Sequence, residues 1–366
     1  MDIPAGLHSP LHERHVSAGA KFAEFGGWVM PVEYSGVVAE HTAVRERVGL
    51  FDVSHLGKAV VKGPGAAGYL NTRLTNDLRK IGPGQAQYTL LCDTSGGTVD
   101  DMIAYLRGDD EVFLIPNAAN TTEVVRRLSE GAPDDIEVRN LHHDYAVLAV
   151  QGTLSDEVLA SIGLPVGHDY MRFEVANLDG VELTVCRTGY TGERGYELVC
   201  PAESAGALWD AVLAAGQQYQ ILPCGLAARD TLRTEMGYPL HGNDLGPQIS
   251  PVAAGATWAV GWKKDTFDGV EPLRAERKAR TRLLRGIRAI GRGIPRHEMP
   301  VVDQDGSVIG VVTSGTFSPT LKIGIGLALL PPDTEPGSTV SVQIRNRVEP
   351  FEVVKPPFVT PGVRGD

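Results

Sequence analysis

Cysteine is scarce in this 366-residue chain: Cys92, Cys186, Cys200 and Cys224 lie far apart, with no Cys-x-x-Cys and no histidine pair at zinc-finger spacing. That argues against a disulfide framework and against a Cys/His metal centre, and it suits a reduced, cytoplasmic compartment. Apolar runs stop well short of the roughly 20 residues needed to span a membrane. The N-terminal stretch MDIPAGLHSPLHERH has neither the apolar centre of a signal peptide nor the Arg/Ser-rich character of a transit peptide. Positive charge is also short. With 34 Lys and Arg against 45 Asp and Glu the net charge is −11, which disfavours nucleic acid as the main ligand. No Walker A sequence, Gly-x-Ser-x-Gly elbow or His-Glu-x-x-His stretch occurs.

Glycine and proline, by contrast, are plentiful, at 43 and 24 residues, which favours many turns and short strands over a helix bundle. The length allows two or three domains. Helical spacing appears at 10–18 and 38–48, around 65–80, over AANTTEVVRRLSE and ESAGALWDAVLAAGQQY, and in GLAARDTLRTEMG. QAQYTLLCD, TVDDMIAYL and EVFLIPN, separated by TSGG and RGDD, predict three antiparallel strands. Residues 262–300 carry eleven Lys and Arg against five acids, a local excess of six positive charges in an acidic chain. Beyond about 280 the pattern is short strands and turns, as in a small β-barrel.

One glycine motif is set aside. GPGAAG (Gly63, Gly65, Gly68) matches Gly-x-Gly-x-x-Gly between a strand and a helix. Hairpins follow it rather than parallel strand–helix units, and no acidic residue closes a second strand about 20 residues on. A plain strand-to-helix turn is the better reading.

Three constellations carry chemistry. In SGGTVDDMIAY two like charges, Asp100 and Asp101, sit inside a strand. Alternation sends Thr98, Asp100, Met102 and Ala104 to one face and Val99, Asp101, Ile103 and Tyr105 to the other. Asp101 then shares the more apolar face, where a carboxylate must be paired, shifted in pKa or turned to a ligand; a turn with both acids solvated would fit the same residues. In the helix GLAARDTLRTEM, Arg229 falls within the apolar arc and Arg233 at its edge. Each needs an anionic or planar partner, either an internal ion pair or a ligand. In RTGYTGERGYEL a glycine-punctuated loop places Tyr190 at its tip and Glu197 just behind, an arrangement suited to a planar ligand with an amidine-like edge or to a simple surface hairpin.

Taken together, the stretches GWVMPVEYSG, EHTAVRERVGLFDVSHLGK, LTND, YTLLCDTSGGTVDDMIAY, NAAN, RTGYTGERGYEL, PCGLAARDTLRTEMGYPLHGND, TSGTFSPTLKIGIGLALL and KPPFV resemble, in order from about residue 8 to 360, the aminomethyltransferase (T-protein) family of the glycine cleavage system. The resemblance implies an α+β, three-domain cloverleaf of antiparallel sheets with flanking helices, a C-terminal β-barrel and folate in a central cavity. The expected domains are 1–54 with 141–250, 55–140 with 251–280, and 281–366. It implies transfer of the one-carbon unit of aminomethyl-dihydrolipoyl H-protein to tetrahydrofolate, giving 5,10-methylenetetrahydrofolate, ammonia and dihydrolipoyl H-protein. Tetrahydrofolate would be the co-substrate, H-protein would supply the lipoyl group, and no metal, nucleic acid or membrane would take part. The position matching the essential acid is Asp101; Tyr88, Asn117, Tyr190, Glu197, Arg229, Tyr238 and, in the loosely matching PGVRGD, Arg364 fall on folate-contacting positions. Folate-dependent tRNA-modifying proteins share the fold but carry a Lys-Gly-Cys-Tyr-type motif where this chain has RTGYTGERG. Folate-dependent demethylases resemble the family closely, though the oxidases among them need a flavin domain for which 366 residues leave no room. A non-catalytic folate-binding protein would have no need of Asp101.

Overall fold

The computed structural model describes residues 5–363. Three sheets and a closed barrel form the framework. The sheet that carries the acidic pair has five strands in the order Gln85–Cys92, Thr98–Gly108, Glu111–Ile115, Ala59–Lys62 and Glu137–Asn140, every pairing antiparallel. The expected hairpins are therefore present. Their first turn closes because Asp93 Oδ1 accepts the backbone N–H groups of Ser95 and Gly97 at 2.8 and 3.0 Å.

The same sheet disposes of the dinucleotide motif. Ala59–Lys62 has antiparallel neighbours on both sides, so no parallel crossover follows it. Gly63 has φ +132°, and a β-carbon there would stand 2.0 Å from the Asp135 carbonyl oxygen. The glycine serves a tight backbone passage.

A six-stranded sheet runs Phe173–Leu178, Val181–Cys186, Gly195–Pro201, Tyr145–Gln151, Gly49–Asp52, Leu222–Cys224. It is antiparallel except for its last pair, which is parallel. One face packs on the helices Ser155–Ser161 and Ala205–Gly216, with Leu148, Val150, Leu198, Trp209 and Val212 in the core. The small third sheet joins Leu7–His8, Lys21–Phe25 and Trp28–Glu33. From Leu283 to Val354 six strands close into a barrel around Ile287, Val301, Ala328 and Phe351.

Two expected helices are shorter than their patterns. The one around 65–80 divides into Ala66–Asn71 and a single 3-10 turn at Leu78–Lys80. Between them Leu74 bridges to Leu91, and the Thr75 hydroxyl binds Ala259 O and the Leu90 N–H. Tertiary hydrogen bonds thus override the local helical period. The basic helix covers Val270–Lys278, and the chain is a barrel strand again at Leu283. Much of its charge is used locally. Arg274 pairs with Glu271 at 2.8 Å, Arg277 lies 4.5 Å over the Trp262 ring, and buried Lys264 donates to Leu74 O and Asn76 O.

The helix Leu226–Met236 sits where the pieces meet, touching the Trp28–Glu33 strand, the Val37–Glu46 helix and two barrel strands. Gly225 admits it, since a β-carbon there would come within 2.1 Å of Val32 O. Gly237, at φ +68°, ends it in the left-handed conformation and turns the chain back through Tyr238.

Candidate active site

The Thr98–Gly108 strand alternates as the period-two pattern requires, but the dry face is the opposite one to that expected. Thr98, Asp100, Met102 and Ala104 are buried, while Val99, Asp101 and Ile103 are only half-covered. Met102 and Ala104 join the apolar cluster under the sheet, beside Leu70, Leu74 and Val124. Asp100, fully buried, is therefore the carboxylate in the dry interior, and Asp101 stands on the partly open side. Neighbouring helices, invisible to strand periodicity, decide which face is sealed.

Each carboxyl has a distinct environment. Asp100 accepts from the Asn117 backbone N–H at 2.9 Å, from Asn117 Nδ2 at 2.8 Å and from Asn120 Nδ2 at 2.7 Å. Burial, with the Asp101 charge second, still pushes it up to about 8. Asp101 accepts from the Tyr88 hydroxyl at 2.9 Å and from Asn117 Nδ2 at 3.0 Å. Burial raises its pKa as well, opposed first by His241 and then by the Tyr88 and Asn117 bonds. Asn117 and Asn120 reach the pair because the Glu111–Ile115 strand ends at Pro116 and one 3-10 turn follows, where Thr121 Oγ1 donates 3.0 Å to Asn117 O.

A second group faces the same space from the glycine loop. Tyr190 is not an exposed tip; it is half-buried, and its hydroxyl donates 2.5 Å to Pro239 O. The loop folds against the Leu226–Met236 helix because Gly192, at φ +82°, has no side chain to collide with Met236. The Arg229 guanidinium lies 4.7 Å over the Tyr190 ring, and the Tyr238 ring lies 5.7 Å from it at 30°. Glu197 is buried and accepts the Thr188 hydroxyl at 2.5 Å. Burial pulls Arg229 below its ordinary pKa, with the Glu197 and Tyr190 charges opposing. Yet among the described residues no ion pair joins Arg229 to Glu197, and the buried Arg229 Nη1 has no hydrogen-bond partner. The Asp101 charge helps raise the Tyr190 phenol, and Tyr190 helps raise that of Tyr88, so the two groups act on each other across one space.

The structure thus gathers Tyr88, Asp101, Asn117, Tyr190, Glu197, Arg229 and Tyr238. Arg364 lies outside the described residues. Three participants escaped the sequence patterns. Asn120 is three residues beyond Asn117, a spacing meaningful only once the turn is known. His241 comes from an irregular loop and sits 3.0 Å from Asn120 Nδ2. Trp258, 67% exposed, stacks on Tyr88 with ring centroids 5.2 Å apart, from a segment with no period at all. Arg233, read as lying at the edge of the apolar arc, is deeply buried and tied to Asp230 at 2.7 Å, Asp244 at 3.0 Å and Ser314 at 2.9 Å. Of the two arginines it is the one held by internal ion pairs. The four cysteines are free and buried, and no metal-binding cluster of His, Cys, Asp or Glu occurs among the described residues. No helix among them is long and apolar enough to cross a membrane.

Comparison with known proteins bears on the fold and the family. Residues 11–264 match the GCVT N-terminal domain family, and residues 282–360 match the glycine cleavage T-protein C-terminal barrel domain. The chain is 57% identical over 361 residues to an aminomethyltransferase of Mycobacterium bovis, covering 98% of each chain. It is 59% identical over 359 residues to an aminomethyltransferase of Parafrankia sp., covering 97% of this chain and 98% of that one. The crystal structure of glycine cleavage system aminomethyltransferase T from Bartonella henselae superposes with a TM-score of 0.92 at 34% identity, covering 98% of this chain and 99% of that one. The chain belongs to the aminomethyltransferase, or T-protein, family of the glycine cleavage system.

Proposed function

We propose that this chain moves the one-carbon unit of an aminomethyl group, carried on the dihydrolipoyl arm of H-protein, to tetrahydrofolate, with release of ammonia. One observation supports the reading above the others: Tyr190 lies between a carboxylate on a half-open strand face, Asp101, whose charge reaches its phenol, and an arginine, Arg229, that sits over its ring with a buried and unpartnered nitrogen. An internal network would have satisfied that nitrogen as Tyr88 and Asn117 satisfy Asp101. A planar, polar-edged co-substrate suits what is there. Tyr190 and Tyr238 offer ring faces, Arg229 offers an unused donor, and Glu197 offers a buried acceptor. Tetrahydrofolate supplies two ring-closing nitrogens as nucleophiles when bound.

The residues of the chain would then position and handle protons. Asp101, held by Tyr88 and Asn117, accepts or returns a proton at the attacking nitrogen, a role worth about 10²–10⁴-fold. Trp258 stacks on Tyr88 and so helps hold the phenol that donates to that carboxylate. Arg229, Tyr190, Glu197, Asn117 and Tyr238 orient the co-substrate so that attack is effectively intramolecular. No protein nucleophile is required, since the four thiols are buried and the sulfur leaving group arrives on the partner.

The test is to supply the purified protein with aminomethylated H-protein and tetrahydrofolate. Stoichiometric ammonia and 5,10-methylenetetrahydrofolate are expected, and both should stop when tetrahydrofolate is withheld. Folate binding without ammonia release would make the protein a non-catalytic folate carrier instead.

A further inference from the structure

The adjacent carboxyls share one amide. Asn117 Nδ2 lies 2.8 Å from Asp100 Oδ1, 3.0 Å from Asp101 Oδ1 and 2.9 Å from the Asp101 carbonyl oxygen. A carboxamide has two N–H donors, so three acceptors divide them. Whatever fixes Asn117 therefore fixes how much of it Asp101 receives. Asp100 fixes it twice, through the backbone N–H and through Nδ2, and it fixes Asn120 by a third bond. Asn120 Nδ2 in turn lies 3.0 Å from Nδ1 of His241, whose charge favours ionised Asp101. Asp100 itself is fully buried and reaches none of the open side.

We propose that Asp100 is a positioning residue that works on Asp101 through Asn117 and Asn120, holding its carboxylate in one orientation and coupling to its charge. The proposal rests on Asp101 being the proton-handling group of the transfer reaction. Two like charges joined through a single amide in a dry setting ionise as a pair, and the more buried member keeps its proton longer. Asp100, pushed up to about 8, is that member. Loss of the Asp100 proton near that pH then places a second charge beside Asp101. The other titratable groups facing the pair are Tyr88 from the adjacent strand, His241 from the loop after the Leu226–Met236 helix, and Tyr190 from the glycine loop.

The experiment is a carboxyl carbon-13 NMR titration of the aspartate-labelled full chain without ligand, with the Asp101 signal identified by its loss in Asp101→Asn. In the wild type, Asp101 should show its own transition and a smaller second step where Asp100 loses its proton. Asp100→Asn should abolish the second step. Asn120→Ala, which keeps the carboxyl and removes one donor to its charged form, should move that step to higher pH; this milder variant carries the test if Asp100→Asn does not fold. Turnover of Asp100→Asn should fall on the order of tenfold with KM for tetrahydrofolate little changed, as expected of a loosened acid rather than a lost contact. An Asp101 curve that superimposes on the wild type in both variants would make Asp100 a pin for the 116–121 turn and nothing more. Absence of ammonia release by the wild type would overturn the transfer reading while leaving the titration result to decide the coupling.

Discussion

Arg229 and Arg233 stand one helical turn apart and live in opposite circumstances. Arg233 belongs to a buried polar seam between the Leu226–Met236 helix and the barrel. There Asp244 accepts from it and from Ser314, and Glu235 accepts from Arg45 at 2.8 Å and from Ser318 at 2.5 Å. Arg229 lies over the Tyr190 ring with a nitrogen that no protein group satisfies. The seam is tied by internal ion pairs, although Asp244 Oδ1 has no hydrogen-bond partner; among the described residues Arg229 has no ion pair at all. Ion-paired charges hold the pieces of the fold together, whereas a guanidinium without an ion pair, set over the Tyr190 ring, is free to take its partner from another molecule.

Removing one partner from the seam should have the largest effect on stability. Arg233→Ala leaves Asp244 uncompensated at 0% exposure and should cost about 3–5 kcal/mol in denaturant unfolding. A loss below about 1 kcal/mol would mean that the seam is not what ties helix to barrel. Arg229→Met should do the reverse. No internal ion pair is lost, only the contact over the Tyr190 ring, and a buried unpartnered donor is removed, so the melting temperature should hold or rise, while tetrahydrofolate affinity drops on the order of 10–100-fold by calorimetry, the worth of a charged hydrogen bond. Unchanged affinity with a large fall in melting temperature would return Arg229 to the structural class.

The two regions should also differ in their response to pH. Burial favours protonated Glu235, but bonds from His41 and Ser318 and the Arg45 charge overcome it and hold the carboxyl down to about 2. Its stabilisation is present above its unfolded pKa, near 4.5, and is lost as pH falls towards 2. Asp100 has the opposite sign. Its folded pKa is raised, so its contribution is full below about 4 and is lost as pH rises through about 8. Unfolding free energies of Asp100→Asn relative to the wild type should therefore drift in favour of the variant between pH 4 and 8, and those of Glu235→Gln in favour of the variant below pH 4.5. Parallel curves would refute the assignment. The smallest effect is expected on the exposed basic helix. Lys278→Gln with Arg280→Gln should raise KM for H-protein by no more than about threefold, and only at low salt, because rim charges act chiefly on association rate.

Strand periodicity made the alternation of Asp100 and Asp101 legible, because side chains on a strand have a period of two regardless of context. It could not tell which face was dry, since that depends on Leu70, Leu74 and Val124 arriving from elements distant in sequence. The helical arc likewise brought Arg229 and Arg233 to notice. Which one was satisfied depended on Asp244 and Ser314, the latter some 80 residues away. Trp258 comes from a single 3-10 turn, Thr257–Ala259, and His241 from a loop, both too short for a period to be read. The helix around 65–80 failed for a related reason: Leu74 still bonds back to Leu70 O, but Thr75 turns its backbone N–H and hydroxyl to the neighbouring segments at Leu90 and Ala259.

Asp101→Asn bears most directly on the claim that the half-open face is where the chemistry happens. The substitution keeps the shape and can still accept from Tyr88 or Asn117, but it cannot take up a proton. Ammonia release from aminomethylated H-protein in a single turnover, with tetrahydrofolate affinity measured on the same preparation, should show a rate loss of about 10²–10⁴ at nearly unchanged affinity. A variant that turns over within about threefold of the wild type, at saturating tetrahydrofolate, would contradict the account and move the proton-handling group away from Asp101.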